Sequence, residues 1–416
     1  MTGDNSASSG GGVLPLSGVR VLDLSRVLAG PMAAQMLGDF GADVIKVEQP
    51  EKGDLVRQMG AAKLEGTEDI PSNETSLYLA ANRNKRSITV DLSKTDGQAI
   101  VRELAEQSDV LIENYIPGTL AKFALDYDSL RSVNPRLVYC SVSGFGQSGP
   151  RARQPGFDAI FQALGGLMSL NGHPDGHPGS GPLKVGPNVV DGVAALYATV
   201  GIFAGLKQRE ATGIGQHIDI GLLDCALHWI SPTIETYLIG GKVPQRSGNH
   251  TLSGGPSTVL RCQDGMVYFI CGGQGRFDRL CQLLEIPELA NDPRFSENTR
   301  WENRYLLAEI IQDKVKSWSC VQFIEKLERI GCPVGKVNNI EEALADAQVR
   351  HRELVVTMDH PLRNDLKVMA NPIRMGNTSL CYRRPPLLGE HTEGVLREIL
   401  GLDHAAIAKL RNEGSI

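Results

Sequence analysis

The feature that most restricts how this chain can fold is a repeated strand–helix–strand rhythm across its first third. Val19-Arg20-Val21-Leu22-Asp23-Leu24 reads as a strand, Pro31 to Phe40 as a helix opened by proline and followed by Gly41, and Asp43-Val44-Ile45-Lys46-Val47-Glu48 as a second strand. After a polar, irregular span from Gln49 to Thr75 the rhythm resumes. It gives a strand at Ser87 to Asp91, a helix at Gly97 to Gln107 with apolar Ile100, Val101 and Leu104, and strands at Val110 to Asn114 and Arg136 to Val142. Strands joined through helices run parallel. The expectation is therefore an α/β domain with an open, Rossmann-like sheet, whose ligands bind beyond the carboxyl ends of the strands.

Further on, Lys207 to Gln216 reads as a polar turn, His217 to Ile220 as a strand and Leu222 to Gly240 as one helix. Past the glycine-rich Arg246 to Pro256, the signals become a short strand (Val267 to Cys271) and amphipathic helices (Phe277 to Leu284, Tyr305 to Trp318, Val321 to Ile330), which predicts a smaller α+β domain. The formal net charge of −6 argues against a nucleic-acid surface and for a small partner molecule. The eight cysteines are scattered with no CxxC pair, so they read as reduced thiols of a cytoplasmic protein without a metal site. Met1 to Gly12 lacks the apolar centre of a cleavable signal, and the longest apolar run, Val193 to Leu206, reads as too short and too glycine-rich to cross a membrane. Gly144 to Gly149 matches G-x-G-x-x-G but runs into Pro150 rather than opening a helix, which argues against a dinucleotide.

One carboxylate stands out. In Gly186 to Leu206, Asp191 sits between Val189-Val190 and a run of small, apolar residues that suits a buried helix. At a helix start it would meet unpaired N–H groups and the positive end of the dipole, which predicts that it stays ionised in apolar surroundings. Such a group serves either as a helix N-cap or as a nucleophile.

Several segments, in the same order, carry a resemblance: Val21 to Pro31, Leu37 to Glu48, Asn84-Lys85-Arg86-Ser87-Ile88, Glu113-Asn114-Tyr115, Arg209 to Gln216, and Pro386-Leu387-Leu388-Gly389-Glu390-His391-Thr392. Together they resemble the family III CoA-transferases, the group that includes formyl-CoA:oxalate and carnitine CoA-transferases. The resemblance implies that Asp191 is the catalytic aspartate, and that the substrates are an acyl-CoA and a carboxylic acid, with no permanently bound cofactor. It implies CoA contacts from Leu28, Ala29, Gln49, Val90, Asp91, Leu92, Asn114, Tyr115, Ile116, Lys122, Ser143, Gly144 and Phe145. Gln49 and Lys122 stand where formyl-CoA relatives carry arginine, which removes a bidentate fork. By their own chemistry Lys85 and Arg86 read as a solvated pair and Lys122 as a helix-surface charge. The loop Ser253-Gly254-Gly255 matches one that covers the intermediate in relatives, but lacks their full glycine run, and read alone it is a hinge between domains.

Composition and element signals, with the resemblance, give the expected organisation: a disordered tail at 1–14, a large CoA-binding α/β domain begun at 15–225, a linker at 226–250, a small α+β domain at 251–335, and a return linker with the C-terminal part of the large domain at 336–416. The resemblance implies an interlocked, ring-like homodimer. An α-methylacyl-CoA racemase of the same fold would need a histidine before an aspartate, and here Gly156-Phe157-Asp158 puts phenylalanine in that place, leaving only His173 and His177 as substitutes. A non-catalytic acyl-CoA-binding protein would have no use for Asp191.

Overall fold

A computed structural model describes residues 13–68, 72–251 and 255–416. Residues 1–12 of the expected tail, and Ser253 and Gly254 of the expected loop, lie outside the described residues. The chain divides into two compact units. The first comprises the residues up to Gly166 with Val185–Ile234 and Glu353–Ile416; the second comprises Leu167–Lys184 and Glu235–Arg352.

In chain order the elements are β1 (Arg20–Asp23), α1 (Ala29–Asp39), β2 (Asp43–Glu48), α2 (Ser76–Ala81), β3 (Lys85–Thr89), α3 (Thr95–Glu106), β4 (Val110–Glu113), α4 (Tyr127–Arg131), β5 (Val138–Ser143) and α5 (Asp158–Leu164). Then come α6 (Leu167–Leu170), α7 (Val189–Thr212), β6 (His217–Gly221), α8 (Leu222–Trp229) and α9 (Ser231–Gly240). The second unit continues with β7 (Ser257–Cys262), β8 (Gly265–Ile270), α10 (Gln274–Leu283), α11 (Arg304–Val315), α12 (Cys320–Arg329), β9 (Val334–Lys336), α13 (Ile340–Ala345) and α14 (Ala347–His351). The chain returns to the first unit with β10 (Val355–His360), β11 (Arg363–Met369), α15 (Thr392–Leu400) and α16 (His404–Asn412).

The first unit is built on a six-stranded sheet in the order β3-β2-β1-β4-β5-β6, every pair parallel. Because side chains alternate along a strand, Val21, Val44 and Ile112 face a core shared with α1, α7 and α8. Their neighbours Leu22, Ile45 and Leu111 face a second core with α3, α15 and α16. Burial on both faces is why these strands read as continuous apolar runs. After β1 the chain moves outward through β2 and β3, then crosses back to β4, so the loops leaving β1 and β4 diverge and open a crevice between them. The second unit has a three-stranded antiparallel sheet, β7-β8-β9, with Val267 and Phe269 packed against Phe277, Leu307 and Phe323.

Several local expectations are corrected. The segment expected as a polar turn is helical as far as Thr212, because Arg209 turns inward to pair with Asp109 at 3.0 Å and Gly213, at φ 74°, supplies the left-handed close. The extended α7, at 24 residues, is long and apolar enough by composition to cross a membrane; 56% of its most apolar window is buried inside the protein. The helix expected from Leu222 to Gly240 breaks at Ile230 into α8 and α9. Lys85 is no solvated charge: its ammonium is fully buried and donates to Asp23 at 2.8 Å, to the Pro31 carbonyl and to Asn82. Arg86 is partly buried and pairs with Asp43.

Candidate active site

The cap of α7 comes from elsewhere in the chain. Asp158, at the start of α5, accepts the backbone N–H of Val190 at 2.7 Å and of Asp191 at 3.2 Å, while Gln162 holds its other oxygen at 2.5 Å. Gln162 also accepts the Val185 N–H at 2.9 Å, so α5 fixes the approach of the chain to α7. With the first-turn donors taken, the Asp191 carboxylate is relieved of capping. It receives one side-chain hydrogen bond, from the Asn188 amide at 3.3 Å, and lines a cleft of about 300 Å³. Burial, with the Asp158 charge behind it, pushes the Asp191 carboxyl up to about 6. The expected cause of ionisation is absent, since Asp158 takes the N–H groups; the raised carboxyl still loses its proton near neutral pH, and its oxygen is more basic and more nucleophilic than that of a solvated aspartate.

The cleft lies over the carboxyl ends of β1, β4 and β5 at the switch in strand order, and its walls include Leu28 and Ala29 after β1, Asn114, Tyr115 and Ile116 after β4, and Ser143 and Gly144 at the end of β5. The chain turns sharply there: Val27 is held at φ 69°, a left-handed conformation that a β-branched residue rarely adopts. The Asp54 carboxylate secures that turn by accepting the Val27 N–H at 3.0 Å, and the buried Lys46 ammonium holds Asp54 at 2.9 Å and the Ser25 carbonyl at 3.0 Å. The Ser143 hydroxyl is buried with no hydrogen-bond partner among the described residues, a group that a ligand can satisfy.

A second cleft of about 390 Å³ continues the groove over β2 and β3, lined by Gln49, Lys52, Asp54 and Val90 to Ser93. Arg26, Leu55 and Tyr115 line both clefts, and the Arg26 guanidinium sits 4.3 Å above the Tyr115 ring. Beneath Tyr115, Glu113 accepts its N–H at 2.8 Å, and burial pushes that carboxyl up to about 7.

Of the expected contacts, Leu28, Ala29, Asn114, Tyr115, Ile116, Ser143 and Gly144 gather around Asp191, and Gln49, Val90, Asp91 and Leu92 gather in the second cleft. Lys122 is exposed on a short 3-10 turn, Leu120–Phe123, and lines neither. Phe145 turns into the core against Phe161, with centroids 5.2 Å apart, under Arg151. Gly255 lies in the second unit. The sequence reading passed over Arg26, Lys52 and Asp54. Arg26 adjoins Leu28-Ala29 in the quoted motif, a signal that could have found it; Asp54 had none, being one acid in an irregular span.

The model of CoA-transferase family III matches residues 16–392. The chain belongs to this family. Among relatives of this family III member, the succinate–glutarate CoA-transferase of Agrobacterium fabrum is 42% identical over 394 residues, covering 94% of this chain and 97% of its own. The human succinyl-CoA:glutarate CoA-transferase is 37% identical, covering 97% and 90%. A crystal structure of a CAIB/BAIF family protein from Brucella suis superposes with a TM-score of 0.84 at 38% identity, covering 93% of this chain and all of that one. This CoA-transferase thus shares the mixed α/β architecture of the CAIB/BAIF structures.

Proposed function

We propose that this family III CoA-transferase moves CoA between two dicarboxylic acids of about the size of succinate and glutarate, with Asp191 as the covalent carrier. The observation that carries the reading is Asp191 itself: a buried carboxylate in the cleft whose capping duty Asp158 has taken over. The names of the relatives support the choice of acids.

An Asp191 oxygen attacks the thioester carbonyl of the donor, forming a mixed anhydride and releasing CoA thiolate. The thiolate attacks the aspartyl carbonyl and expels the donor acid, leaving an aspartyl-CoA thioester. The acceptor carboxylate displaces the thiolate from that carbonyl, and the thiolate then attacks the acceptor half of the new anhydride, freeing Asp191 and the new acyl-CoA. Each step trades one activated acyl group for another, so the energy of the thioester is never lost to water. In this reading the pantetheine arm and thiol lie in the first cleft and the adenosine in the second. Arg26, at the junction, offers a phosphate one bidentate fork and Lys52 a point charge, where Gln49 and Lys122 offer no fork.

The test is incubation with succinyl-CoA and glutarate, with detection of glutaryl-CoA by mass spectrometry. No transfer to glutarate or to any C4–C6 dicarboxylate would remove the proposal. Because Asp191 must be ionised to attack, kcat/KM is expected to be level above about pH 6 and to fall about tenfold per unit below it. A profile flat to pH 5, with the protein still folded, contradicts that role.

The assembly belongs to the same proposal: a homodimer in which a second copy covers Leu196 and Val200 on α7 and Trp229 on α8, which are 53%, 64% and 55% exposed. A monomer mass by light scattering would count against it.

A further inference from the structure

Five of the eight cysteines, Cys262, Cys271, Cys281, Cys320 and Cys332, fall in the second unit, and all five are packed into its core. The sheet places two of them as a pair. In the antiparallel register of β8 and β9, Phe269 stands opposite Val334, and the Ile270 N–H donates to the Pro333 carbonyl at 2.9 Å. One step further, that register sets Cys271 opposite Cys332. The Cys271 N–H is taken by the Pro256 carbonyl at 2.8 Å and the Cys332 N–H by the Leu327 carbonyl at 3.0 Å, so neither donates across to the other cysteine. Opposed residues without ladder bonds between them have the closest side chains of an antiparallel pair, with Cα atoms about 4.5 Å apart, inside the span that a disulfide bridges. The side chains use that closeness: the two sulfurs are 3.0 Å apart.

Cys262 and Cys320 also share a hydrogen bond, but their surroundings oppose reaction. Burial, with the Asp264 carboxylate beside it, pushes the Cys320 thiol up to about 12. At Cys332 the neighbouring charge has the opposite sign. Sharing its hydrogen bond with Cys271, and with Arg276 and Arg279 nearby, the Cys332 thiol is held below the usual thiol range, while the same bond and burial push Cys271 up. Cys332 therefore supplies the first thiolate and Cys271 attacks second. Both residues are buried, yet Gly331 and Pro333, on either side of Cys332, and Gly273, two residues after Cys271, are exposed, so the pair lies just beneath the surface.

We propose that Cys271 and Cys332 form a redox site of the second unit, which closes to a disulfide when the protein meets a small-molecule disulfide. The Cys332 thiolate attacks one sulfur of the oxidant, whose S–S bond breaks; one half leaves as a thiolate and the other stays on Cys332 as a mixed disulfide. Cys271 gives up its proton and attacks the Cys332 sulfur, expelling the second half. Two protein thiols become one disulfide while one disulfide becomes two thiols, so protons and electrons balance. The sulfurs have to close by about 1 Å. The bond joins residues 61 apart in sequence and ties the end of β8 to the loop after α12, which restricts the unfolded chain and stabilises the second unit. The site is independent of the transferase reading.

Peptide mapping of the wild-type protein tests this without any variant: the protein is incubated with oxidised glutathione, its remaining thiols are blocked with iodoacetamide in denaturant, and the digest is read without reduction. The peptides carrying Cys271 and Cys332 should appear joined, lighter than their sum by two hydrogens, with Cys262, Cys281 and Cys320 alkylated. The joined protein should melt about 5 °C or more above the reduced one, dithiothreitol should reverse the shift, and Cys332→Ser should show neither the bond nor the shift. Alkylation of both Cys271 and Cys332 after oxidation would overturn the proposal. So would a bond from either to another cysteine, or glutathione retained on Cys332 with Cys271 alkylated.

Discussion

Asp191→Asn is expected to lower the rate of CoA transfer by about 10⁴-fold or more, because the amide is isosteric but cannot form the anhydride. The same substitution should make the protein more stable. The folded Asp191 carboxyl, near 6, lies above its ordinary value of 3.8, so folding takes up a proton between those pH values and native stability declines as pH rises through that window. Removing the charge relieves a penalty of at most about 3 kcal/mol above pH 6 and almost nothing below pH 4. Thermal melts at pH 7.5 and 4 measure this: the variant should melt higher at the first pH and equally at the second. Activity within tenfold of the parent, or a lower melting temperature at pH 7.5, contradicts the account. A carboxylate kept for stability would behave in the opposite way.

The largest effect on stability is expected at Arg57. Its guanidinium is fully buried and is shared between Glu48 (2.7 and 2.9 Å), Glu74 (2.6 Å), the Tyr78 hydroxyl and the Pro386 carbonyl, while stacking 3.6 Å from the Tyr78 ring centroid. Arg57→Met keeps much of the volume and strands two carboxylates, one of which, Glu74, burial already pushes up to about 7. Removing one side of a buried ion pair costs about 3–5 kcal/mol, a large part of the stability of a typical domain. Glu48 also holds the Asp54 N–H at 3.0 Å, and Asp54 holds the Val27 turn, so CoA affinity should fall with stability. Urea denaturation that differs by under about 1 kcal/mol would mean the network relaxes around the gap.

The parallel, doubly covered sheet and the placement of the groove were legible because apolar runs bounded by turn residues encode both buried faces of β1, β2 and β4. The carboxyl-end rule then locates the cleft without any side-chain detail. The charges were not legible. In Asp43-Val44-Ile45-Lys46-Val47-Glu48 the local pattern says nothing of how Lys46 and Glu48 are satisfied; both are buried, and their partners Asp54 and Arg57 come from the irregular span after the strand. Lys85 was misread for the same reason, its partner Asp23 lying 62 residues away. Local pattern cannot show a pairing made across the sheet. Asp191 was placed at the right helix end, but the sequence could not say that Asp158, 33 residues earlier, would take its capping role.

The most direct measurement is acid quenching of the enzyme mixed with succinyl-CoA alone, followed by peptide mass spectrometry. The account predicts that the peptide containing Asp191 becomes heavier by CoA in thioester linkage, that hydroxylamine converts this adduct to a hydroxamate at Asp191, and that glutarate added before quenching discharges it. A modified peptide elsewhere in the chain, or unmodified Asp191 during active transfer, contradicts it.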